Sequence, residues 1–395
     1  MMSRKCRRTV EIVINRRTAT GTSVSLLFKW EKSLHLIGRN RIAGAFCMDK
    51  NFWHGKKVFV TGHTGFKGAW LAFVLNLFGA EVTGFALEPP TNPNLFSRIE
   101  LEKIIRSVKG DIRDFATLKK TFDECKPEIV FHLAAQPLVL EGYKNPAMTY
   151  ATNVMGTVDI LECVRQNPCV KSFLNVTTDK VYHNNEWAWG YRENDTLDGI
   201  DPYSNSKSCS ELVTACYRRS FFSDVSISTA RAGNVIGGGD FADFRIIPDC
   251  VRAALEGEKI LVRNPNSVRP YQHVLEPLFA YMMIAQKQYC DEKFSGCYNV
   301  GPNENDCVTT GELVNIFCEK WGEGLTWEDL SVNLPKEANF LKLDCSKIKS
   351  VLNWSPRWDI SVAVEKVVEW SKIYRAGGDI GACMEQQLKD FLGEN

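Results

Sequence analysis

Tyr203 and Lys207 stand in a Tyr-x-x-x-Lys spacing that puts both side chains on one face of a helix. An ammonium beside a phenol favours the phenolate and draws its pKa down from about 10 toward working pH. A tyrosinate so placed takes a hydroxyl proton while a hydride leaves the same carbon. The spacing alone is common by chance, and a surface pair is its default reading. Upstream, Thr178-Asp179-Lys180 closes an apolar segment that reads as a strand. That places a hydroxyl, a carboxyl and an ammonium at a strand end, where the helix of Tyr203 can reach them.

A second group has binding chemistry. Gly62, Gly65 and Gly68 follow a G-x-x-G-x-x-G spacing, with His63, Phe66 and Lys67 between them, after one strand and at the start of one helix. Glycines there permit a tight turn and let the helix N-terminus approach a pyrophosphate. Glu88, after the second strand, is placed to accept hydrogen bonds from an adenosine ribose and to repel a 2′-phosphate, which favours NAD over NADP. His63 and Lys67 bring positive charge that suits either cofactor. Asp111 and Ile112 follow the next strand, where they could hold an adenine, although Asp111 also reads as a helix cap. Leu133, Ala134 and Ala135 offer small residues beside the same cofactor.

The elements that must carry these residues are legible as alternation. Strands are expected at 58–61, 81–86, 129–134, 172–177 and 225–231, and helices at 68–78, 115–126, 148–166 and 204–220. Alternating β and α segments with short loops predict a parallel sheet with helices on both faces. The expected fold class is therefore α/β, a Rossmann-type doubly wound parallel sheet with a smaller C-terminal α/β substrate domain. We place a basic extension without regular structure at 1–50, the NAD-binding domain at 51–240 and the substrate domain at 241–395. The chain is expected to cross back to the first domain near 298–301.

Composition narrows the partners. Net charge is +1, with 48 Lys+Arg against 47 Asp+Glu. Residues 1–47 hold ten basic and two acidic side chains, about +8, leaving 38 against 45, about −7, for the rest. Neither balance calls for a nucleic-acid or membrane partner. Met48 reads as the start of the enzyme proper, the leader being dispensable. The 14 cysteines form no C-x-x-C pair and have no histidine at ligand spacing, so they read as thiols in a reducing cytoplasm with no metal.

From the glycine loop through Tyr203 and Lys207 the chain resembles the extended short-chain dehydrogenase/reductase family, and within it the CDP-glucose 4,6-dehydratases. The resemblance rests on Thr61–Gly68, His132–Pro137, Thr178–Lys180, Glu186–Asn194, Arg231–Asp240, Arg263–Pro265, Arg269–Pro277 and Leu343–Lys347. It implies that Tyr203, with Lys207 and Thr178, removes the C4 hydroxyl proton of a nucleotide-linked glucose as hydride passes to NAD. Asp179 is then the acid toward the C6 hydroxyl, which requires a raised pKa. In related dTDP-glucose enzymes a glutamate base follows that aspartate. Here Lys180 stands in its place, either as the C5 base or simply paired with Asp179. Gln136, Asn234, Arg245 and Arg269 fall in segments that grip the substrate in similar enzymes. The resemblance also implies a homodimer or higher homo-oligomer and a place in dideoxyhexose synthesis for lipopolysaccharide. Tyr271 and Phe241 stand where Trp is expected, and Leu140-Glu141 where a more basic stretch is expected. Another nucleotide-sugar dehydratase, a 4-epimerase or a non-catalytic NAD-binding scaffold are the competing readings. Asp179 argues against an epimerase, and Tyr203 with Lys207 argues against a scaffold.

Overall fold

Short runs rich in Val, Ile and Phe, bounded by glycine and polar residues, form the strands of one sheet. These are β3 (Lys57–Thr61), β4 (Glu81–Ala86), β5 (Arg106–Lys109), β6 (Ile129–His132), β7 (Ser172–Thr178) and β8 (Ser226–Ala232). They are numbered after a hairpin, β1 (Val10–Arg17) and β2 (Ser23–Trp30). The computed structural model describes residues 10–17, 23–30, 48–330 and 341–394, in two compact units, 1–45 and 46–395.

The hairpin corrects the expectation of an extension without regular structure. Its antiparallel register, Val10 opposite Trp30 and Arg17 opposite Ser23, pairs one β-branched stretch, Val10–Ile14, with a second apolar one, Val24–Phe28. Such residues favour a pleated surface even when flanked by charge.

In the second unit the strand order is β13-β8-β7-β6-β3-β4-β5, every pairing parallel, where β13 is Cys297–Val300 and follows the short strands β9 (Val235–Ile236), β10 (Ile260–Val262), β11 (Val268–Arg269) and β12 (Gln272–His273). Alternate residues face opposite layers. Val58, Val60, Ile129, Phe131, Leu174 and Val176 join one core, whereas Phe59, Val130 and Phe173 join the other. Helix α1 (Phe66–Leu77) belongs to the first layer. Helices α2 (Phe115–Cys125) and α4 (Gly156–Arg165) contribute to the second, α4 following the short α3 (Pro146–Tyr150). The order reverses between β3 and β6, and open α/β sheets bind ligands at the carboxyl ends of the strands at such a switch.

The division at residue 240 is not a boundary between compact bodies: 46–395 is one unit. Helix α6 (Leu275–Cys290) and β13 both belong to the sheet's own core. A separate apolar cluster does exist beyond 240. It contains Ile247 and Val251 from a helix at Ile246–Glu256, with Phe317, Trp321 and Val367. Strand β5 is the strand expected ahead of Asp111, and its bounds come only from the fold, because Arg106-Ser107-Val108-Lys109 is an edge strand with no fully buried side chain.

Candidate active site

Strand β7 delivers Thr178 and then breaks into a single 3₁₀ turn, Asp179–Val181. Thr178 caps that turn, its oxygen accepting from the Lys180 amide at 3.4 Å. The Thr178 hydroxyl also donates to Asp179 Oδ1 at 2.9 Å. Asp179 Oδ2 is buried with no protein partner.

Tyr203 enters from the first turn of α5 (Pro202–Phe221), which has proline at its start and Asp201 as its cap, accepting from Ser204 N at 3.0 Å. The Ser208 hydroxyl fastens this helix to the turn, donating to the Val181 carbonyl at 2.7 Å. Tyr203 and Thr178 share a side-chain hydrogen bond. Thr178 thus links the phenol to the carboxyl.

Electrostatics separate the two acids. Burial pushes Asp179 above the usual carboxylate range, against the pull of Lys180, Thr178 and Arg269. Burial also pushes Tyr203 up, to about 12, while Thr178 and Arg245 act to lower it. That corrects the expectation that Lys207 lowers the phenol. Its ammonium donates instead to the Val176 carbonyl at 2.9 Å. Spacing puts the two side chains on one helical face, but the lysine reaches down to the strand backbone. Burial holds Lys207 down at about 8, with Lys67 adding to the effect, and Lys67 itself is at about 8, from burial and from Arg245.

The glycine loop has the form of an anion cradle. Gly62 has φ +78°, and a Cβ there would lie 2.8 Å from Ala134 N; one on Gly68 would lie 2.1 Å from the Gly62 carbonyl oxygen. Gly65 caps α1 without a side-chain hydrogen bond, so the first amides of the helix remain available to a phosphate. Leu133 and Ala134 line the facing wall, with Ala135 next in the chain. The Leu133 and Ala134 amides are held by Thr61 Oγ1 at 3.0 and 3.1 Å. Phe66 follows Gly65 in the first turn of α1. These features fit a dinucleotide.

Several expected contacts are spent within the protein. His63 pairs Nε2 with Ser107 Oγ at 2.7 Å, and burial followed by Lys109 lowers its pKa to about 4. At neutral pH it is uncharged, so only Lys67 brings positive charge to the loop. Glu88 is ion-paired with Lys109. Asp111 accepts from the Arg113 amide at 2.9 Å and grips its guanidinium, while the helix cap is Asp114. Ile112 is buried against the place of Gly156. Gln136 donates to Thr149 Oγ1 at 2.8 Å and accepts from Leu138 N at 2.6 Å, so both ends of its amide shape the loop.

Two of the four expected substrate residues lie in electrostatic range of the candidate catalytic group. Arg245 is paired with Asp240 at 2.9 Å and lies in electrostatic range of Tyr203 and Lys67. Arg269 is buried and lies in range of Asp179. Asn234 is part-exposed, and its carbonyl accepts from Gln272 N at 2.9 Å.

Sequence reading missed Asn153. It sits in a π-helical turn, Ala151–Met155, between two α-helical stretches. Its amide brackets Gln136, accepting from Gln136 N at 2.8 Å and donating to Gln136 O at 3.0 Å, and it also reaches Ser206 Oγ at 2.9 Å. The available signal was an asparagine inside a helical stretch, a poor helix former in need of a reason.

Residues 59–367 match the family described as GDP-mannose 4,6 dehydratase. The chain belongs to that family. Among its relatives, a CDP-glucose 4,6-dehydratase from Salmonella typhimurium is 48% identical over 353 residues, covering 87% of this chain and 98% of the relative. A dTDP-glucose 4,6-dehydratase from Xanthomonas campestris is 27% identical, covering 79% and 92%. The fold is also similar to a dTDP-glucose 4,6-dehydratase from Bacillus anthracis solved with NAD, at TM-score 0.68 and 23% identity over 81% of this chain and 98% of that one. A UDP-glucose 4-epimerase from Thermotoga maritima gives TM-score 0.69 at 22% identity, over 80% and 99%. A dehydratase and an epimerase thus share the scaffold, and what separates them must lie in the side chains. Among the described residues of this family member, no helix is long and apolar enough to cross a membrane, and every described cysteine is a free thiol.

Proposed function

We propose that the protein converts CDP-glucose to CDP-4-keto-6-deoxyglucose by NAD-dependent 4,6-dehydration. The observation that carries this is the Tyr203–Thr178–Asp179 chain, in which a phenol and a raised-pKa carboxyl are joined through one hydroxyl. An epimerase needs the phenol but has no use for an acid beside it. A dehydratase needs both, in succession.

NAD, when bound, supplies hydride acceptance at C4 and hydride return at C6. The glycine loop, the α1 N-terminus and Lys67 would hold its diphosphate. Tyr203 takes the C4 hydroxyl proton, aided by Thr178. Lys207 fixes the floor of the site through Val176. Asp179, kept protonated by burial, gives its proton to the leaving C6 oxygen. Lys180, beside it, is our candidate to accept the C5 proton. Arg245 and Arg269 are suited to phosphate oxygens because a guanidinium offers paired donors in a plane.

We extend the reading to a homodimer in the cytoplasm whose product feeds dideoxyhexose synthesis for lipopolysaccharide. Exposed Met155, Leu212 and Phe221 on neighbouring helices support an apolar contact between copies. The test is to incubate the protein with CDP-, dTDP-, UDP- and GDP-glucose and NAD and to follow 4-keto-6-deoxy product. Preferential turnover of CDP-glucose is expected. Preference for another nucleotide would overturn the substrate, and C4 epimer without loss of water would overturn the reaction.

A further inference from the structure

Helix α6 packs beneath β7 and β8 and is buried on nearly every side. In such a helix a side chain is ordinarily pure core. Tyr281 is different, for it carries a hydroxyl into that layer. The residue is 0% exposed, and its oxygen has no hydrogen-bond partner. Phenylalanine would fill the same space without stranding a polar atom, so the hydroxyl needs an explanation. Tyr281 lies in electrostatic range of two groups, Tyr203 and Asp179. Tyr203 already shares a bond with Thr178. Asp179 Oδ2 is, like the Tyr281 oxygen, buried and unpartnered.

We propose that Tyr281 is a positioning residue for Asp179, its phenolic O–H donating to Asp179 Oδ2 in the substrate-bound site. This rests on the dehydratase reading. Such bonds are often long in a free enzyme and tighten when substrate closes the site. In the elimination the C5–H bond breaks with its proton going to a base. The C6–O bond breaks as the Asp179 carboxyl proton joins the leaving oxygen, giving water and a C5–C6 double bond. Asp179 is left as a carboxylate. A hydrogen bond to a neutral acid becomes charge-assisted as that carboxylate forms, so Tyr281 stabilises the transition state more than the ground state.

The other charged and titratable groups facing Asp179 are Lys67 from α1, Lys180 from its own turn, Tyr203 from α5 and Arg269. Tyr281 is the neutral group in range of it from α6, on the face of the sheet opposite α5. Removing the hydroxyl leaves the carboxylate less stabilised, so Asp179 keeps its proton to higher pH.

The experiment is Tyr281→Phe in the full chain with NAD and CDP-glucose. NADH should appear at the wild-type rate while dehydration slows about 10- to 100-fold, so that 4-keto sugar retaining its water accumulates. The alkaline limb of the elimination rate should move to higher pH, and the melting temperature should hold or rise. In an Asp179→Asn background the same change should cost nothing further. Unchanged elimination would overturn the proposal. So would equal slowing of both steps with a lower melting temperature, the mark of a structural role. If wild-type protein ignores CDP-glucose, the substrate reading fails separately, and the same partition is measured with whichever nucleotide-glucose it does turn over.

Discussion

As the proposed acid, Asp179 has to meet two opposed demands. It must keep a proton at working pH, yet it sits among Lys67, Lys180 and Arg269, all of which favour its charged form. Burial outweighs them in the free protein, which is the direction the proposed role requires. Asp179→Asn keeps the size of the side chain and removes the transferable proton. We expect C4 oxidation to continue with build-up of NADH, while dehydration falls by about two to four orders of magnitude. Rapid quenching with mass spectrometry reads this directly, because the stalled 4-keto sugar has lost two hydrogens where the product has lost water, and is heavier than product by one oxygen. Loss of NADH formation instead would move Asp179 to the oxidation step. At this scale the sequence was informative about identity but not about direction. The Tyr-x-x-x-Lys spacing located both side chains, yet only the fold shows that Lys207 reaches the Val176 carbonyl. Gln136 reads as a ligand residue until both ends of its amide are found engaged at home. Tyr281 was invisible for a different reason: within a long apolar run a tyrosine passes for core.

The elements divide into those that hold the site and those that open it. Around the glycine loop, clearance is decided by backbone atoms that cannot rotate away. A Cβ on Gly68 would sit 2.1 Å from the Gly62 carbonyl oxygen and 2.8 Å from His63 Cα. Gly68→Ala therefore has to push the loop off the helix, a form of overpacking that costs about 1–3 kcal/mol. It should lower the melting temperature and weaken NAD binding at least about tenfold, since about 1.4 kcal/mol of lost contact is one decade. A titration that finds wild-type affinity would remove the loop from the cofactor site. The loop and its flanking strand and helix were plain in the sequence, because glycine spacing and apolar alternation are local signals. The π turn at Ala151–Met155 was not, since its cause is the bond network of Asn153 with Gln136 and Ser206, which depends on chain far away. The bounds of edge strand β5 were not legible either, because an edge needs little apolar residue to pair.

At the scale of the whole molecule, the leader and the enzyme are distinct units, and the family match begins only at residue 59. Protein beginning at Met48 is expected to keep turnover within a few-fold of the full chain, measured at saturating NAD and CDP-glucose. A larger loss would give the hairpin a part in the site. The remainder is harder to divide than its sequence suggests. The loosened pattern after Gly239 reads as a separate domain, yet α6 and β13 return to the first core. Strand β13 pairs in parallel with the whole second half of β8, from Thr229 to Ala232, and β8 in turn flanks the strand that ends in Thr178, just before Asp179. This has a consequence for synthesis. A nascent chain that has already left the ribosome with its nucleotide loop, its acid and its phenol still presents β8 as a bare edge, open to any other strand, until residues 297–300 emerge. Every proposed catalytic residue is made early, but the sheet that aligns them is sealed late.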